Sequence, residues 1–150
     1  MSASRSHYSR PGFADRVFNA LVAGLARLGI SLWGSCQLSV RGRKSGVMRA
    51  IPVNVVEHAG ERFLVAPRGE TEWVRNLRAA GGGELRLGSR VEAFRASEIA
   101  DADKSPVLHA YLARWWFEVK SFFDLPGPDA PEAELRRVAP RHPVFRIESA

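Results

Sequence analysis

Short runs of β-branched and aromatic residues, broken by glycine every few positions, constrain this 150-residue chain more than any other feature. Residues 37–40, 50–57 and 62–66 are too short for ordinary helices and rich in Val, Ile, Leu or Phe, so they read as strands. Ala59-Gly60 separates the last two, and glycine takes the positive φ that a tight hairpin turn demands. Antiparallel pairing is the natural result. Residues 84–87 and 90–96 repeat the pattern around Gly88-Ser89, with Leu85, Leu87, Val91 and Phe94 expected to face inward, and 143–148 offers a last strand.

Helical patterns are inserted between these hairpins. Phe13, Val17, Leu21, Leu25 and Leu28 recur at helical spacing and predict a helix ending near Gly29. Thr71 is placed to cap a short helix carrying Trp73, Val74 and Leu77, which Gly81-Gly82-Gly83 stops. A third helix opens at Ser105-Pro106, runs through Val107, Leu108, Tyr111, Leu112, Trp115, Val119 and Phe122, and ends before Pro126 and Pro128. Residues 124–134 have the composition of a loop. Hairpins with helices between them, rather than strict strand–helix alternation, predict an α+β fold: a small antiparallel barrel with attached helices. One domain over 13–150 is expected, after a mobile polar segment at 1–12.

The chemistry is concentrated at one bend. Residues 41–46 read Arg-Gly-Arg-Lys-Ser-Gly, placing three cations, a hydroxyl and two glycines where a strand turns. Such a segment suits phosphate, because glycines allow close backbone approach while Arg, Lys and Ser donate charge-assisted hydrogen bonds. It is also compatible with a solvated basic turn. It is not a Walker A loop, since the glycine and Lys-Ser spacing is wrong.

Charge supports an anionic partner without choosing it: 22 basic against 16 acidic residues give +6. The cations are scattered along the chain, which argues against nucleic acid. Cys36 is the only cysteine, so no disulfide or cysteine zinc framework exists, and it reads as a small strand residue. His7, His58, His109 and His142 stand apart without ligand spacing, so no metal site is expected. The polar start of the chain is unlike a cleavable leader, and the uncharged stretch within 13–28 is about half the roughly 20 residues a membrane span needs. A cytoplasmic location is expected, with 13–28 as the candidate for peripheral membrane contact. No acid, base or nucleophile announces itself, a pattern that fits an enzyme whose cofactor performs the bond-making step.

Gly42-Arg43-Lys44-Ser45-Gly46, Arg49 with Pro52-Val53, and Val65-Ala66 leading to Trp73 and Asn76-Leu77 together resemble the deazaflavin-dependent nitroreductase family, within the split β-barrel flavin and deazaflavin oxidoreductases. The likeness spans roughly 38–96, with weaker support from His142-Pro143-Val144-Phe145. It implies coenzyme F420, with FMN as the alternative on the same barrel. Arg43, Lys44, Ser45 and Gly46 would then hold the phosphate, and Arg41 or Arg49 would reach the anionic tail. Pro52 and Val53 would lie along the ring, Ala66, Pro67, Arg68 and Gly69 around its polar edge or the phosphate, and Trp73 and Asn76 would complete that wall. The implied reaction is hydride transfer to a hydrophobic small-molecule acceptor such as a quinone, an activated alkene or a nitroaromatic compound, with Tyr111 or solvent as proton donor. A non-catalytic binder of cofactor or lipophilic ligand is the remaining alternative. The chain is expected to be a monomer or homodimer.

Trp115, Trp116, Phe117, Phe122 and Phe123 crowd one helix. Adjacent tryptophans cannot share one buried stripe, so one of them is expected to turn outward toward a substrate.

Overall fold

The computed structural model describes residues 35–150, so the expectations for 1–12 and for the helix over 13–28 lie outside the described residues. Six strands, β1 (Ser35–Arg41), β2 (Met48–His58), β3 (Glu61–Val65), β4 (Gly82–Leu87), β5 (Arg90–Glu98) and β6 (Val144–Ser149), close into an antiparallel barrel. Around its circumference the order is β1-β2-β3-β6-β5-β4. The hairpins β1–β2, β2–β3 and β4–β5 are sequence neighbours, as short glycine turns require, whereas β6 returns from the far end of the chain to pair with both β3 and β5. That long return closes the sheet and leaves no free edge.

Side chains alternate between two apolar regions. Leu38, Val40, Leu64, Leu85, Phe94, Phe145 and Ile147 fill the barrel interior. Val56, Phe63, Val65 and Val144 point outward, where α2 (Ser105–Val119) and α3 (Glu132–Val138) cover them. Helix α1 (Glu72–Ala80) comes after β3 and seals one barrel end with Val74 and Leu77, both fully buried against the interior cluster. At about 1.5–3 kcal/mol for each fully buried large aliphatic side chain, these two packed regions hold the fold together.

Several expectations are corrected. Leu87 and Val91 are 42% exposed rather than inward-facing. Val91 is three residues from the inward Phe94, so strand alternation sends it to the other face. Leu87 shares Leu85's face but lies one step past the end of the filled interior. Gly82 and Gly83 belong to β4, and Gly81 alone terminates α1, its N–H donating to Leu77 at 2.8 Å. Thr71 stands at the N-cap of α1, yet its hydroxyl makes no capping bond. The loop composition of 124–134 conceals the start of α3, whose apolar Leu135 and Val138 are buried against α2. Helix α2 ends at Val119, earlier than Pro126 suggests, and gives way to a 3-10 turn over Lys120–Phe122. It also breaks internally at Trp115, where φ is −120° and ψ 17°.

Among the described residues no helix is long and apolar enough to cross a membrane, and no cluster of three or more potential ligands exists for a metal ion.

Candidate active site

The basic bend is a built turn. Gly42 N–H donates to the Val47 carbonyl at 2.8 Å and Gly46 N–H to the Gly42 carbonyl at 2.9 Å, so residues 42–47 form a tight loop. Gly46 has φ of 73°, a conformation that side-chain-bearing residues rarely adopt. A Cβ at Gly42 would stand 2.7 Å from Ser45 Oγ and 3.2 Å from the Val47 carbonyl, so the loop closes on itself only around glycine. Arg41 braces it by donating to the Gly46 carbonyl at 2.7 Å, and Ser45 Oγ accepts from Val47 N–H at 3.2 Å.

Arg43 ties this turn to α1. Its backbone N–H and its Nη1 both donate to Asn76 Oδ1, at 3.1 and 2.8 Å, and Nη1 also meets Glu72 Oε1 at 3.1 Å. Asn76 is 4% exposed, so two donors converge on one buried acceptor. The hydrogen bond from Arg43 holds the Glu72 carboxyl below the usual carboxylate range. Lys44 stays exposed and makes no hydrogen bond or ion pair among the described residues. Arg49 is exposed too, and its Nε lies 3.7 Å from the Cβ position of Gly42, beside the same turn.

The segment 66–71 reaches the same barrel end from β3. Ala66 N–H donates to the Pro143 carbonyl at 2.9 Å, Gly69 N–H to Ala66 at 3.2 Å, and Thr71 N–H to Gly69 at 2.8 Å. The His142 ring, buried and stacked 3.9 Å from Phe123, places Nδ1 3.4 Å from the Ala66 carbonyl. Arg68 lies over the Phe122 ring at 4.9 Å. Arg78 forks onto both Glu70 (2.9 and 3.0 Å) and Glu98 (2.7 and 2.8 Å), tying the segment to α1 and β5. This double pairing drives the Arg78 proton affinity upward and the Glu70 carboxyl below its ordinary value. The Thr71 hydroxyl oxygen is buried without a hydrogen-bond partner among the described residues, at the start of α1.

The residues singled out in the sequence are therefore divided. Arg41, Arg43, Lys44, Ser45, Gly46 and Arg49 belong to one turn, and Asn76 anchors it. Trp73 sits on the first turn of α1, half-buried, its ring 6.3 Å from Phe145. Ala66 is buried in the interior cluster, while Pro67 and Arg68 are half-buried and Gly69 is buried in its tight turn. Pro52 and Val53 cannot both present side chains to one ligand. Val53 packs toward the interior cluster, whereas Pro52, paired with Gln37 rather than with an interior residue, lies on the outer face.

Tyr111 is corrected as a proton donor. It is 2% exposed, packed between Trp115 and Phe123 in the helical layer, and burial pushes its phenol well above the usual tyrosine range. A general acid must reach the atom it protonates, and this hydroxyl is enclosed. Of the crowded aromatics, Trp115 is buried, Trp116 half-buried, and Phe117 is the one that turns outward at 88% exposure. Glu118 beside it was not singled out by sequence. Burial raises the proton affinity of its carboxyl, partly offset by the Asn54 amide of β2. A lone acid inside Trp-Trp-Phe-Glu-Val was the available signal.

A closed six-stranded antiparallel barrel, with a glycine-rich cationic turn locked to the helix that plugs it, defines the class of split β-barrel oxidoreductases. The chain belongs to the F420H(2)-dependent quinone reductase family, whose match covers residues 17–121, and coenzyme F420 is therefore its cofactor. Among solved structures it is similar to the F420-H2 dependent reductase FDR-A, at 20% identity and TM-score 0.51, over 77% of this chain and 94% of that one. A structure described as a domain-swapped dimer is 18% identical at TM-score 0.55, over 90% and 93%. A FAD-binding protein from Mesorhizobium loti is 14% identical at TM-score 0.52, over 87% and 89%. No curated protein sequence matches the chain. At such identities the structural likeness carries the fold alone.

The donor set fits the cofactor. F420 presents a phosphate and a carboxylate-rich tail, and the turn offers the Ser45 hydroxyl and the exposed Lys44 and Arg49.

Proposed function

We propose that this protein reduces a hydrophobic electrophile, with a quinone as the first choice and activated alkenes or nitroaromatics as further acceptors, using reduced F420. When bound, the cofactor supplies a hydride from C5. The chain's own task is binding, alignment and exclusion of water. Lys44 and Arg49 hold the phosphate and the tail, with Ser45 Oγ–H as a further contact, while Gly46, whose N–H and carbonyl are engaged within the turn, lets the backbone bend close to the anion. Arg41 and Arg43 act chiefly by keeping the turn in shape, since both are already engaged within it or with α1. Pro52 offers a flat apolar surface on the outer face of β2, and Trp73 borders the turn from α1.

The observation that carries this reading is the anchoring of Arg43 on Asn76. It fixes the turn against α1 and leaves Lys44 uncommitted at its tip. A preset cationic loop of this kind recognises phosphate without a further ordering cost.

Parallel titration with oxidised F420 and with FMN, monitored by ring fluorescence, tests it. F420 is expected to bind at micromolar concentration or better, and Lys44→Ala to weaken it by about 1.5–3 kcal/mol, the scale of a charged hydrogen bond. Tighter binding of FMN would move the chain to the flavin branch of the same barrel. Equal, feeble binding of both would leave a non-catalytic binder.

A further inference from the structure

The C-terminal end of α2 carries the most exposed large apolar side chain among the described residues. Phe117 is 88% exposed, whereas Val47, the next, stands at 60%. Trp115 stays in the core at the break in helix geometry, and Trp116 is half-buried at the rim of that core. Phe122 and Leu125, just past the helix end, are half-buried at the same core's rim. A single exposed apolar side chain needs no explanation on a protein surface. An exposed ring that adjoins a half-buried aromatic rim and is flanked by cations has a recognisable chemistry.

The flanking cations lie against the rings. Lys120 Nζ is 5.7 Å from the centre of the Phe117 ring, the Arg114 guanidinium 4.8 Å from that of Trp115, and the Arg68 guanidinium 4.9 Å from that of Phe122. Long basic side chains of this kind cover apolar surface with their stems and keep the charged head outermost. The same stretch holds two acids. Asp124 is already held by Arg137 at 2.9 Å and Arg141 at 3.6 Å, which leaves Glu118 facing Arg114 and Lys120, with Arg68 at the edge. The surface is therefore aromatic at its centre and cationic around it. A second copy of the chain would set these cations against their own kind, whereas a layer of anionic headgroups meets them with opposite charge.

We propose that this end of α2 seats the protein on an anionic lipid surface, with the Phe117 ring at the boundary between headgroups and acyl chains and Arg114 and Lys120 against the lipid phosphates. One inserted ring and two cations give weak, reversible attachment that salt loosens. The surface adjoins the candidate site, because Arg68, which lies over Phe122, belongs to the 66–71 segment. Seating stands on exposure and charge alone. Its use, collection of a quinone dissolved in lipid, rests on the F420-dependent reductase reading and deepens it.

Co-sedimentation of the full chain, without cofactor, tests the seating with vesicles of phosphatidylcholine alone and of phosphatidylcholine mixed with phosphatidylglycerol. Wild type is expected to bind the mixed vesicles, less as salt rises, and to leave the neutral ones in solution. Phe117→Ser should weaken that binding on the order of tenfold, the scale of one partly inserted ring, and Lys120→Gln about fivefold, the scale of one cation at an anionic surface. Both variants should keep the wild-type melting temperature, F420 affinity and turnover of a water-soluble benzoquinone within about twofold. With a long-chain quinone dissolved in the mixed vesicles, turnover by Phe117→Ser should fall with its binding. No binding of wild type to the mixed vesicles overturns the proposal. So does binding by Phe117→Ser and Lys120→Gln equal to wild type, which would assign attachment to another part of the chain, or Phe117-dependent self-association in light scattering, which would give this surface to a second copy. Each of these outcomes, with benzoquinone turnover intact, leaves the reductase reading standing. Failure of wild type to bind F420 while it still binds the mixed vesicles removes that reading and leaves the seating.

Discussion

The two ends of the barrel handle charge in opposite ways. At the end away from α1, Arg62 on β3 donates to both oxygens of Glu92 on β5, at 3.0 and 2.7 Å, and the Ser149 hydroxyl joins the same carboxylate. Cation and anion are matched, and the pair closes the barrel above the half-buried Cys36, whose thiol burial pushes upward. At the α1 end the closure is apolar, through Val74 and Leu77, and the charge lies outside it on the 42–46 turn. There Glu72 and Asn76 engage Arg43, and Lys44 and Arg49 are left over. A matched ion pair serves closure. Unmatched cations on a rigid turn serve an anion that comes from outside.

The contrast between the ends is tested most severely at the apolar plug. Leu77→Ala removes a fully buried side chain and should cost about 2–5 kcal/mol of stability, read by denaturant unfolding. A cost below about 1 kcal/mol would mean that α1 does not close the barrel. Next, Lys44→Ala should weaken F420 by about 1.5–3 kcal/mol while changing stability by less than about 0.5 kcal/mol, because an exposed, unpaired lysine supports nothing else. Asn76→Ala strips the turn of its anchor and leaves the Arg43 N–H without its partner. It should lower both stability, by about 1–3 kcal/mol, and cofactor affinity, a double effect that Lys44→Ala must not show.

The smallest effect belongs to the matched end. Glu92→Gln should cost about 1 kcal/mol, since the pair is partly exposed to solvent, and should leave F420 affinity untouched. Its pH dependence has a definite sign. Arg62 and then Ser149 hold the Glu92 carboxyl down to about 2, below its value of roughly 4.3 in an unfolded chain. The stabilisation is therefore complete above a pH of about 4.3 and is lost as pH falls from there through about 2. Acid unfolding of wild type and Glu92→Gln should converge at the low end of that window. Parallel curves across it would show that the pair contributes nothing.

Much of the fold was legible because local chemistry and tertiary structure agreed. Ala59-Gly60 and Gly88-Ser89 are turns in both, and the apolar positions of α2 from Val107 to Val119 are buried as their spacing requires. The misses share a cause. Leu87 and Val91 are as apolar as Leu85 and Phe94, and only the register of β4 against β5, with the point where the interior ends, exposes them. Helix α3 hid behind prolines and acids because its two buried residues gain their meaning from α2.

The candidate site divides in the same way. Gly42 to Gly46 could be read as a phosphate turn because its glycines and donors are contiguous in the chain, and a tight bend acts over a few residues. The order of residues alone was enough for the hairpin order, the location of the cationic bend and the family to which the chain belongs. Packing in three dimensions was needed to show which cations stay uncommitted and that Tyr111 is packed among aromatics. Hydrogen-bond pairing and desolvation act through space over a few ångströms, so neither is encoded in the residue type that experiences it.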